Sequence, residues 1–541
     1  MSFLKIERKP SGTYLRIAES YRDEQGKTRH KLLHSLGRVE DYTAEQLRHM
    51  GLRMYELGGG QIKALLKGEV QEMGRFNYGY IQIYNKALAH YGLDRTLAHI
   101  GMRYGLSFDL TNAVKLMLME RLQSPCSKRS NYIHQTDYIG LEPVYLQHLY
   151  RALDKLAIHN ESIQRQIFQT GRDLFSGQLD VVFYDVTTLY FESDKEFDVE
   201  NKELRKKGFS KDGKIGDTQI LFCMLIDKDK NPIGYQIYKG DMFEGHTLPL
   251  AIEQLKTKYA IDKVIMVADR GMMSEDNLAA ITQNGFEFIV GERLKNLPRN
   301  VQSFLLDMNN YQHEWTYVDE DGQPVNLRYG VMQHGERTII VTYSHKRAKK
   351  DLHEREQKLI TAEILLKQPS LIKRKATHYF LKQQGDQHYE LDNEKINQAS
   401  RYDGILAIST NTTNLTHLQV LEQYKQLFKI EHTFRSFKSH LETRPMFHWT
   451  DRRIQGHICL CYIAYTLLHW VLQKLQSMTI PISENILRQM LDKMQVSLIQ
   501  NNDNKLYLRS ADQPHEVKLQ QCLGLKPLPP LLGESHLAKY L

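Results

Sequence analysis

The sequence predicts an α/β protein with a mostly helical N-terminal region. A length of 541 residues is enough for several domains that each bury a core. Residues 179–293 alternate strand-like and helix-like apolar patterns in the order β-β-β-α-β-α-β. Such an order is typical of a layered α/β domain with a mixed sheet.

The composition excludes several classes of protein. With 41% hydrophobic and 25% charged residues, the chain is neither disordered nor fibrous. It has five cysteines, and the close pair Cys459 and Cys461 fits neither a disulfide framework nor a zinc-site spacing. The N-terminus lacks the apolar segment of a signal peptide, and the longest apolar run, 458–472, is short for a bilayer span. We therefore expect a cytoplasmic protein without a membrane partner, in which residues 458–472 form a buried helix.

The N-terminal 60 residues predict a β-hairpin followed by a short helix. Segments 13–22 and 27–37 alternate in polarity around a turn at 23–26. Thr43 and Gln46 have the spacing of a helix capping box. From 61 to 177 the apolar residues recur with helical periodicity, which predicts a helical domain.

Residues 178–293 predict the first part of the α/β layer. The run 179–191 is β-branched and aromatic throughout, as in a strand buried on both faces. Ser274 is a predicted helix N-cap. The remaining predicted elements are strands at 218–227, 232–240, 263–270 and 286–293 and helices at 246–260 and 274–285.

A β-rich insertion is predicted at 294–400. It contains a hairpin around Asp321 and Gly322, a strand at 337–343 and a charged helix at 344–366. A second part of the α/β layer follows at 401–476, with a strand at 402–411 and long helices. The C-terminal region, 477–541, mixes a helix with short strands.

Positive charge is concentrated in the insertion. The net charge is +8, and residues 343–377 contain ten Lys or Arg against four Asp or Glu. Such a cluster favours a polyanionic partner, because phosphate contacts release counterions. A solvated helix face is the alternative interpretation.

Two aspartates, Asp185 and Asp269, lie within strongly apolar strands. A buried ionised carboxylate is costly unless it is paired or binds a cation. One such residue is usually structural, and two on separate strands of one sheet make a structural role for both less expected. A third acid on a nearby element would indicate a site for a hard metal such as Mg²⁺.

Glu431 is the best third acid. At 100° per residue in a continuous helix, an apolar stripe and a polar stripe about 90° apart are predicted. The apolar stripe comprises Leu427, Ile430, Phe434, Phe437 and Leu441, and the polar one comprises Tyr424, Glu431, Arg435 and Lys438. The alternative is that Glu431 and Arg435 form only an i,i+4 ion pair.

These residues carry a family resemblance. The segment YKQLFKIEHTFRSFK (424–438) resembles the Y-x2-R-x3-E-x6-K element of bacterial insertion-sequence DDE transposases, and the strands holding Asp185 and Asp269 resemble the family's two Asp motifs. Further similarity lies at 206–214, 402–410 and 444–449. Leu427 stands where the family has Arg, so Arg435 is the candidate to replace it.

The resemblance implies a ribonuclease-H-like core, interrupted by a β-rich insertion between the fifth strand and the helix that bears the Glu. It implies Asp185, Asp269 and Glu431 as catalytic residues and as ligands of two Mg²⁺ ions, which Mn²⁺ could replace. Tyr424 and Lys438, with Arg435, are then expected to bind DNA. We name four competing acids: Asp212, Asp217, Asp241 and Glu244.

The implied partner is double-stranded DNA, both the element's terminal inverted repeats and the target, with a homodimer in the synaptic complex. The implied location is the bacterial cytoplasm, in association with the nucleoid, and the helical region 61–177 is a possible DNA-binding domain. Two other functions remain open: a structure-selective metal-dependent nuclease and a catalytically inactive DNA-binding relic. A glycosidase that uses two carboxylates is disfavoured by the basic character of the chain.

Overall fold

The computed structural model describes most of the chain and divides it into two compact units. The first unit comprises 1–77, 494–513 and 526–541, and the second comprises 78–493 and 514–525. The described residues are 2–58, 70–171, 181–192, 203–208, 217–270, 274–318, 322–367, 379–383, 389–444, 446–478, 480, 482–501 and 504–541.

The first unit begins with a three-stranded antiparallel sheet and a helix. The sheet has the order β1-β2-β3, so a strand precedes the predicted hairpin. The predicted capping box is confirmed, because the Gln46 amide donates to Thr43 Oγ1 at 3.2 Å and the Thr43 amide donates to Gln46 Oε1 at 2.8 Å. The elements are β1 (Ser2–Lys9), β2 (Gly12–Arg22), β3 (Thr28–Arg38) and α1 (Ala44–Leu57).

A four-stranded sheet in the same unit joins distant parts of the chain. Its order is β19-β18-β17-β4, with β4 (Val70–Asn77), β17 (Gln495–Asn501), β18 (Asn504–Arg509) and β19 (Leu531–Gly533). The prediction of helix from residue 61 onward is therefore wrong for 70–77. The partner of β4 lies near the other end of the sequence, which local periodicity does not report.

Helices dominate the beginning of the second unit, as predicted. They are α2 (Gly79–His90), α3 (Leu93–Arg103), α4 (Leu110–Gln123), α5 (Lys128–Ile133), α6 (Leu146–Ile158) and α7 (Asn160–Gly171). The long helix α15 (Asp451–Ser477) packs against α4 and α6. Gly456 permits this approach, because a Cβ there would lie 2.1 Å from the Leu153 carbonyl oxygen.

Helix α15 contains the apolar run 458–472. Within the described part of the chain it is the one helix long and apolar enough to cross a membrane, but 78% of its most apolar window is buried inside the protein. The prediction of a buried core helix is confirmed.

A ten-stranded mixed sheet forms the centre of the second unit. Its order is β11-β12-β13-β16-β10-β9-β5-β7-β6, with β8 also paired to β7. Strands β5, β9 and β10 run parallel, and the other pairings are antiparallel. The strands are β5 (Val181–Tyr190), β6 (Lys206–Lys207), β7 (Thr218–Asp227), β8 (Pro232–Lys239), β9 (Ile265–Ala268), β10 (Glu287–Gly291), β11 (His313–Val318), β12 (Pro324–His334), β13 (Arg337–Tyr343) and β16 (Ile405–Thr410).

Strands of the predicted insertion continue this sheet instead of forming a layer of their own. Residues 338–343 of β13 pair with 405–410 of β16, which in turn pairs with β10. The other elements of this part are α10 (Arg299–Leu306), α11 (His345–Lys367), β14 (Leu381–Gln383), β15 (Tyr389–Leu391) and α12 (Asn393–Ser400). The predicted hairpin is observed as β11 and β12, although Asp321 of its turn lies outside the described residues.

Helices cover both faces of the central strands. On one face, α8 (Thr247–Tyr259) and α9 (Glu275–Gln283) bury an apolar cluster that includes Val182, Tyr184 and Ala268. The predicted N-cap of α9 is confirmed, because Ser274 Oγ accepts from the Asn277 amide. The remaining helices are α13 (His417–Lys425), α14 (Phe428–Arg435), a π-helical turn (Ser436–His440), α16 (Glu484–Lys493) and α17 (Glu516–Cys522).

Candidate active site

Register places Asp185 and Asp269 side by side. In the parallel pair of β5 and β9, Tyr184 is opposite Ala268. Asp185 is the next residue of β5 after Tyr184, and Asp269 directly follows Ala268 at the end of β9. Neighbouring strands lie about 4.8 Å apart. The two predicted acids are therefore brought together by the hydrogen bonding of the sheet.

Asp185 lies on the face of the sheet that is opposite α8 and α9, and Asp269 is exposed just beyond the end of β9. Side chains alternate along a strand, and Tyr184 and Ala268 belong to the apolar cluster beneath those two helices. Phe222 of β7 pairs with Thr187. Thr187 is two residues after Asp185 in β5, so the two side chains are on the same face of the sheet. The Phe222 ring lies 6.1 Å from Phe434 of α14. Asp185 thus shares its face with the helix that carries Glu431.

Asp185 is half-buried, and its Oδ1 accepts a hydrogen bond from the Val186 amide at 2.7 Å. Burial, together with the negative charges of Asp185 and Glu244, raises the pKa of the nearby Cys223 thiol to about 12. Of the competing acids, Glu244 therefore lies within electrostatic reach of Cys223. Asp217 is half-buried, Asp241 is exposed, and Asp212 lies outside the described residues.

The predicted continuous helix around Glu431 is interrupted. Helix α13 ends at Lys425, and the Ile430 amide then donates to the carbonyl three residues back, at Leu427. The segment 436–440 is π-helical, with the Leu441 amide donating to Ser436 at 2.9 Å. The prediction of one continuous helix is wrong, and the angles calculated for it do not apply across the turn and the π segment, which change the rotation per residue.

The local amphipathic pattern is nevertheless as predicted. The apolar side chains Ile430, Phe434, Phe437 and Leu441 are buried. Glu431 is exposed. Burial of the apolar stripe therefore fixes the orientation of this segment and leaves Glu431 on its accessible side.

Tyr424 connects two of the acids. Burial raises the pKa of its hydroxyl, the charges of Asp269 and Glu431 act in the same direction, and Arg347 and Arg270 oppose them. Both carboxylates are consequently within electrostatic reach of this phenol. Arg347 comes from the first turn of α11, so the basic helix of the insertion begins beside the site.

Gly291 makes room for Tyr424. A Cβ at this last residue of β10 would lie 2.2 Å from Tyr424 Oη and 3.5 Å from Arg270 Cβ. Sequence reasoning missed this residue. The only available signal was a glycine that ends a buried strand, before two charged residues.

The exposure of the remaining residues of this segment, and of Trp315 in the insertion, varies. Arg435 is exposed at the end of α14, Lys438 is half-buried in the π turn, and Leu427 is half-buried between the helices. Trp315 of β11 is half-buried, with the Lys425 ammonium 5.2 Å from its ring centroid.

The acids supply oxygen ligands, which is the donor type that Mg²⁺ requires. Asp185 and Asp269 are neighbours in the sheet register, and they fit a shared cation. Among the residues that the structure describes, no group of three or more His, Cys, Asp or Glu side chains is already arranged to hold a metal ion. Glu431 therefore has the right face and chemistry without completing a ligand cage.

Two family models match the chain. Residues 4–75 match the family described as IS1634 family transposase, N-terminal domain. Residues 176–467, more than half of the chain, match the family described as Transposase DDE domain. A search of curated proteins finds no match.

One similar solved structure is a cryo-EM structure of the piggyBac transposase synaptic complex with hairpin DNA. The two chains are 10% identical, the alignment covers 76% of each, and the TM-score is 0.36. At that score the likeness carries no weight for fold or function.

The chain belongs to the DDE transposases of insertion sequences. It is therefore an enzyme that cleaves DNA and transfers strands, and DNA is its partner. DDE transposase domains depend on a divalent metal, generally Mg²⁺.

Proposed function

We propose that Asp185, Asp269 and Glu431 are the catalytic and metal-binding residues of this transposase. The observation that carries the proposal is the register of β5 and β9, which makes the two aspartates neighbours, with Asp185 on the face occupied by α14. These three carboxylates would hold two Mg²⁺ ions, which would supply Lewis acidity for an in-line phosphoryl displacement.

We propose that the catalytic core is ribonuclease-H-like. Support comes from the five core strands β5, β7, β8, β9 and β10, which follow one another along the chain in the expected order. An insertion follows the fifth strand and precedes the Glu431 helix, as the family resemblance implies. The sequence-based division at 178–293, 294–400 and 401–476 rests on the same argument.

The protein's own side chains would hold and orient the DNA. Tyr424, Arg435 and Lys438 would contact the phosphates beside the reacting bond, because phenol and cationic donors position a backbone without reading its sequence. Arg347 would add a fourth donor from the insertion. Carboxylates from separate segments would fix the reacting phosphate relative to the attacking oxygen.

The substrate would be the ends of the insertion sequence, which are cleaved and then joined through their 3′-hydroxyls to target DNA. The N-terminal regions 1–60 and 61–177 would include the binding site for the terminal repeats. A homodimer would bring two ends together, and the protein would act in the bacterial cytoplasm at the nucleoid.

The test compares isosteric variants on DNA that carries the inverted repeats bordering the gene. We expect Asp185→Asn, Asp269→Asn and Glu431→Gln each to abolish Mg²⁺-dependent cleavage and strand transfer while DNA binding persists. Asp241→Asn, which changes an exposed competing acid, is the matched control and should retain activity. A variant lacking all three carboxylates that still cleaves would refute the assignment.

Product analysis separates the alternative functions. A transposase gives covalently joined products, whereas a nuclease gives only cleaved DNA and an inactive relic gives neither.

A further inference from the structure

A second candidate site lies apart from the three acids. We call it the basic pocket: a cavity of about 380 Å³ between the α4–α5 connection, the segment 442–450 and the start of α15. Four cationic side chains line it, with Glu442 as the lining acid. The cations are Arg121, Lys128, Arg444 and Arg453.

Two of these cations are deeply buried. Lys128 is 3% exposed and Arg121 is 5% exposed. Lys128 Nζ donates to Asn131 Oδ1 at 3.0 Å, which uses one of its three donor positions. Glu120 is the buried carboxylate nearby, and it offsets one positive charge. The Arg121 guanidinium donates to the backbone carbonyl oxygens of Leu441, Glu442 and Cys126. These neutral acceptors leave its positive charge in place, and an approaching anion would offset it.

The positive potential of the pocket is reflected in its histidines. Burial lowers the pKa of His448 to about 3, and the charges of Lys128, Arg121 and Arg453 act in the same direction. Burial, with the charges of Arg121 and Lys128 acting in the same direction, lowers the pKa of His457 well below its usual value. Both imidazoles therefore remain neutral at physiological pH and add no positive charge to the pocket.

The mouth of the pocket is accessible. The side chain of Arg453 is 43% exposed and its guanidinium lies 4.8 Å from the centroid of the Tyr150 ring. Its Nε is 3.8 Å from Asp154 Oδ1, a separation longer than a strong ion-pair hydrogen bond. Trp449, at 46% exposure, lies at the same rim.

Strand β5 links the basic pocket to the acids. The Met446 amide donates to the Tyr190 carbonyl oxygen at 3.3 Å, and the Arg444 guanidinium lies 5.1 Å from the Tyr190 ring centroid. Tyr190 follows Asp185 by five residues in the strand, which corresponds to about 17 Å at 3.3 Å per residue. One phosphodiester cannot reach both places, but one bound DNA molecule can.

We propose that the basic pocket binds a backbone phosphate of the transposase's DNA, at a position separate from the reacting phosphate. Arg444 and Arg453, which line the pocket, are the contacting cations. That the ligand is DNA follows from the family to which the chain belongs. That the pocket lies away from the reacting phosphate rests on the proposed catalytic site.

The first experiment measures DNA binding by the full-length protein in EDTA, so that cleavage does not interfere. We expect Arg453→Gln to weaken binding about tenfold and to reduce the slope of log K against log salt by about one. Arg452→Gln removes the same charge from the adjacent, exposed residue, which does not line the pocket. Asp154→Asn removes the acid beside Arg453 and keeps the arginine. Both controls should change affinity less than twofold, and equal losses in Arg453→Gln and Arg452→Gln would overturn the proposal.

The second experiment identifies the phosphate. Single neutral methylphosphonates are placed along the DNA backbone and tested against the parent protein and Arg453→Gln. At one position the substitution should weaken parent binding about tenfold and cause no further loss in the variant. Additive effects at every position would overturn the proposal.

Free phosphate is distinguished in a third measurement. Inorganic phosphate is titrated at constant ionic strength against both proteins. If it binds the parent and not Arg453→Gln while the methylphosphonate effects remain additive, the pocket serves free phosphate and the proposal fails. These binding results do not depend on whether Asp185→Asn abolishes cleavage, so the basic pocket and the catalytic assignment can fail separately.

Discussion

Replacing Gly291 by alanine should damage the candidate active site without removing any functional group. The added Cβ would lie 2.2 Å from Tyr424 Oη and 3.1 Å from Cζ, where ordinary contacts begin at 3.4 Å. The phenol must therefore move by at least 3.4 − 2.2 = 1.2 Å. A misplacement of about 1 Å can reduce catalysis about 10²-fold. Overpacking of this kind also costs about 1–3 kcal/mol of unfolding free energy.

The assay compares strand-transfer rates and thermal unfolding for Gly291→Ala, Tyr424→Phe and the double variant. Tyr424→Phe removes the oxygen that the new methyl group would strike, so the double variant should be more stable than the sum of the single effects predicts. Gly171→Ala is the matched control, because a Cβ at that position meets nothing within 4 Å. It should leave both the rate and the stability nearly unchanged.

Two results would contradict this reasoning. If Gly291→Ala unfolds at the parental temperature and transfers strands at the parental rate, Tyr424 does not rest on Gly291 in the active protein. If the rate falls while the Gly291 and Tyr424 effects on stability are additive, the loss has a cause other than displacement of the phenol.

Three further predictions address the basic pocket, the insertion and a helix cap. Burial lowers the pKa of Lys128 to about 7, below its value in the unfolded chain. Between about pH 7 and 10.5 the unfolded state therefore binds more protons than the folded state. The free energy of unfolding should rise with pH over this range, by up to about 1.36 kcal/mol per pH unit. Urea unfolding across this range should show a shallower pH dependence for Lys128→Met, and identical slopes would contradict the burial argument. Arg347→Gln should slow cleavage about tenfold, because it removes a cation beside Tyr424. Lys350→Gln changes a side chain that is 76% exposed and should not slow cleavage. Equal cleavage rates in the two variants would show that Arg347 does not contribute to the reaction. Ser274→Ala should lower the unfolding free energy by about 1 kcal/mol through loss of the cap of α9, with the catalytic rate constant retained, and an unchanged melting temperature would show that the cap contributes little.

Local patterns predicted much of the central sheet because each strand is self-evident in sequence. The runs at 218–227 and 405–410 are continuous apolar segments, and the structure forms strands over both ranges. Adjacency was not contained in those patterns. That Asp185 and Asp269 are neighbours depends on β5 pairing with β9, which are separated in sequence by three strands and the helix α8.

Two errors have the same physical origin. Strand β4 was predicted as helix because its stabilising partner, β17, is remote in sequence. The segment from Tyr424 to Lys438 was treated as one helix because its apolar spacing is helical, yet tertiary packing permits a turn at 426–427 and a π segment at 436–440. Periodicity reports which side chains are buried, and it does not report where backbone hydrogen bonds change partner.

The continuous sheet has a consequence for how the insertion can act on the reaction. Strand β13 is hydrogen-bonded to β16 from Thr338 to Tyr343, and α11 begins at His345, immediately after that strand. Arg347 is therefore anchored to the sheet that holds the aspartates, rather than tethered by a long linker. A cation fixed in this way loses little conformational entropy when it meets a phosphate, so it can contribute more to binding than a mobile surface lysine. The insertion is for this reason better regarded as an extension of the sheet that carries Asp185, with Arg347 acting electrostatically on Tyr424, than as a separate module.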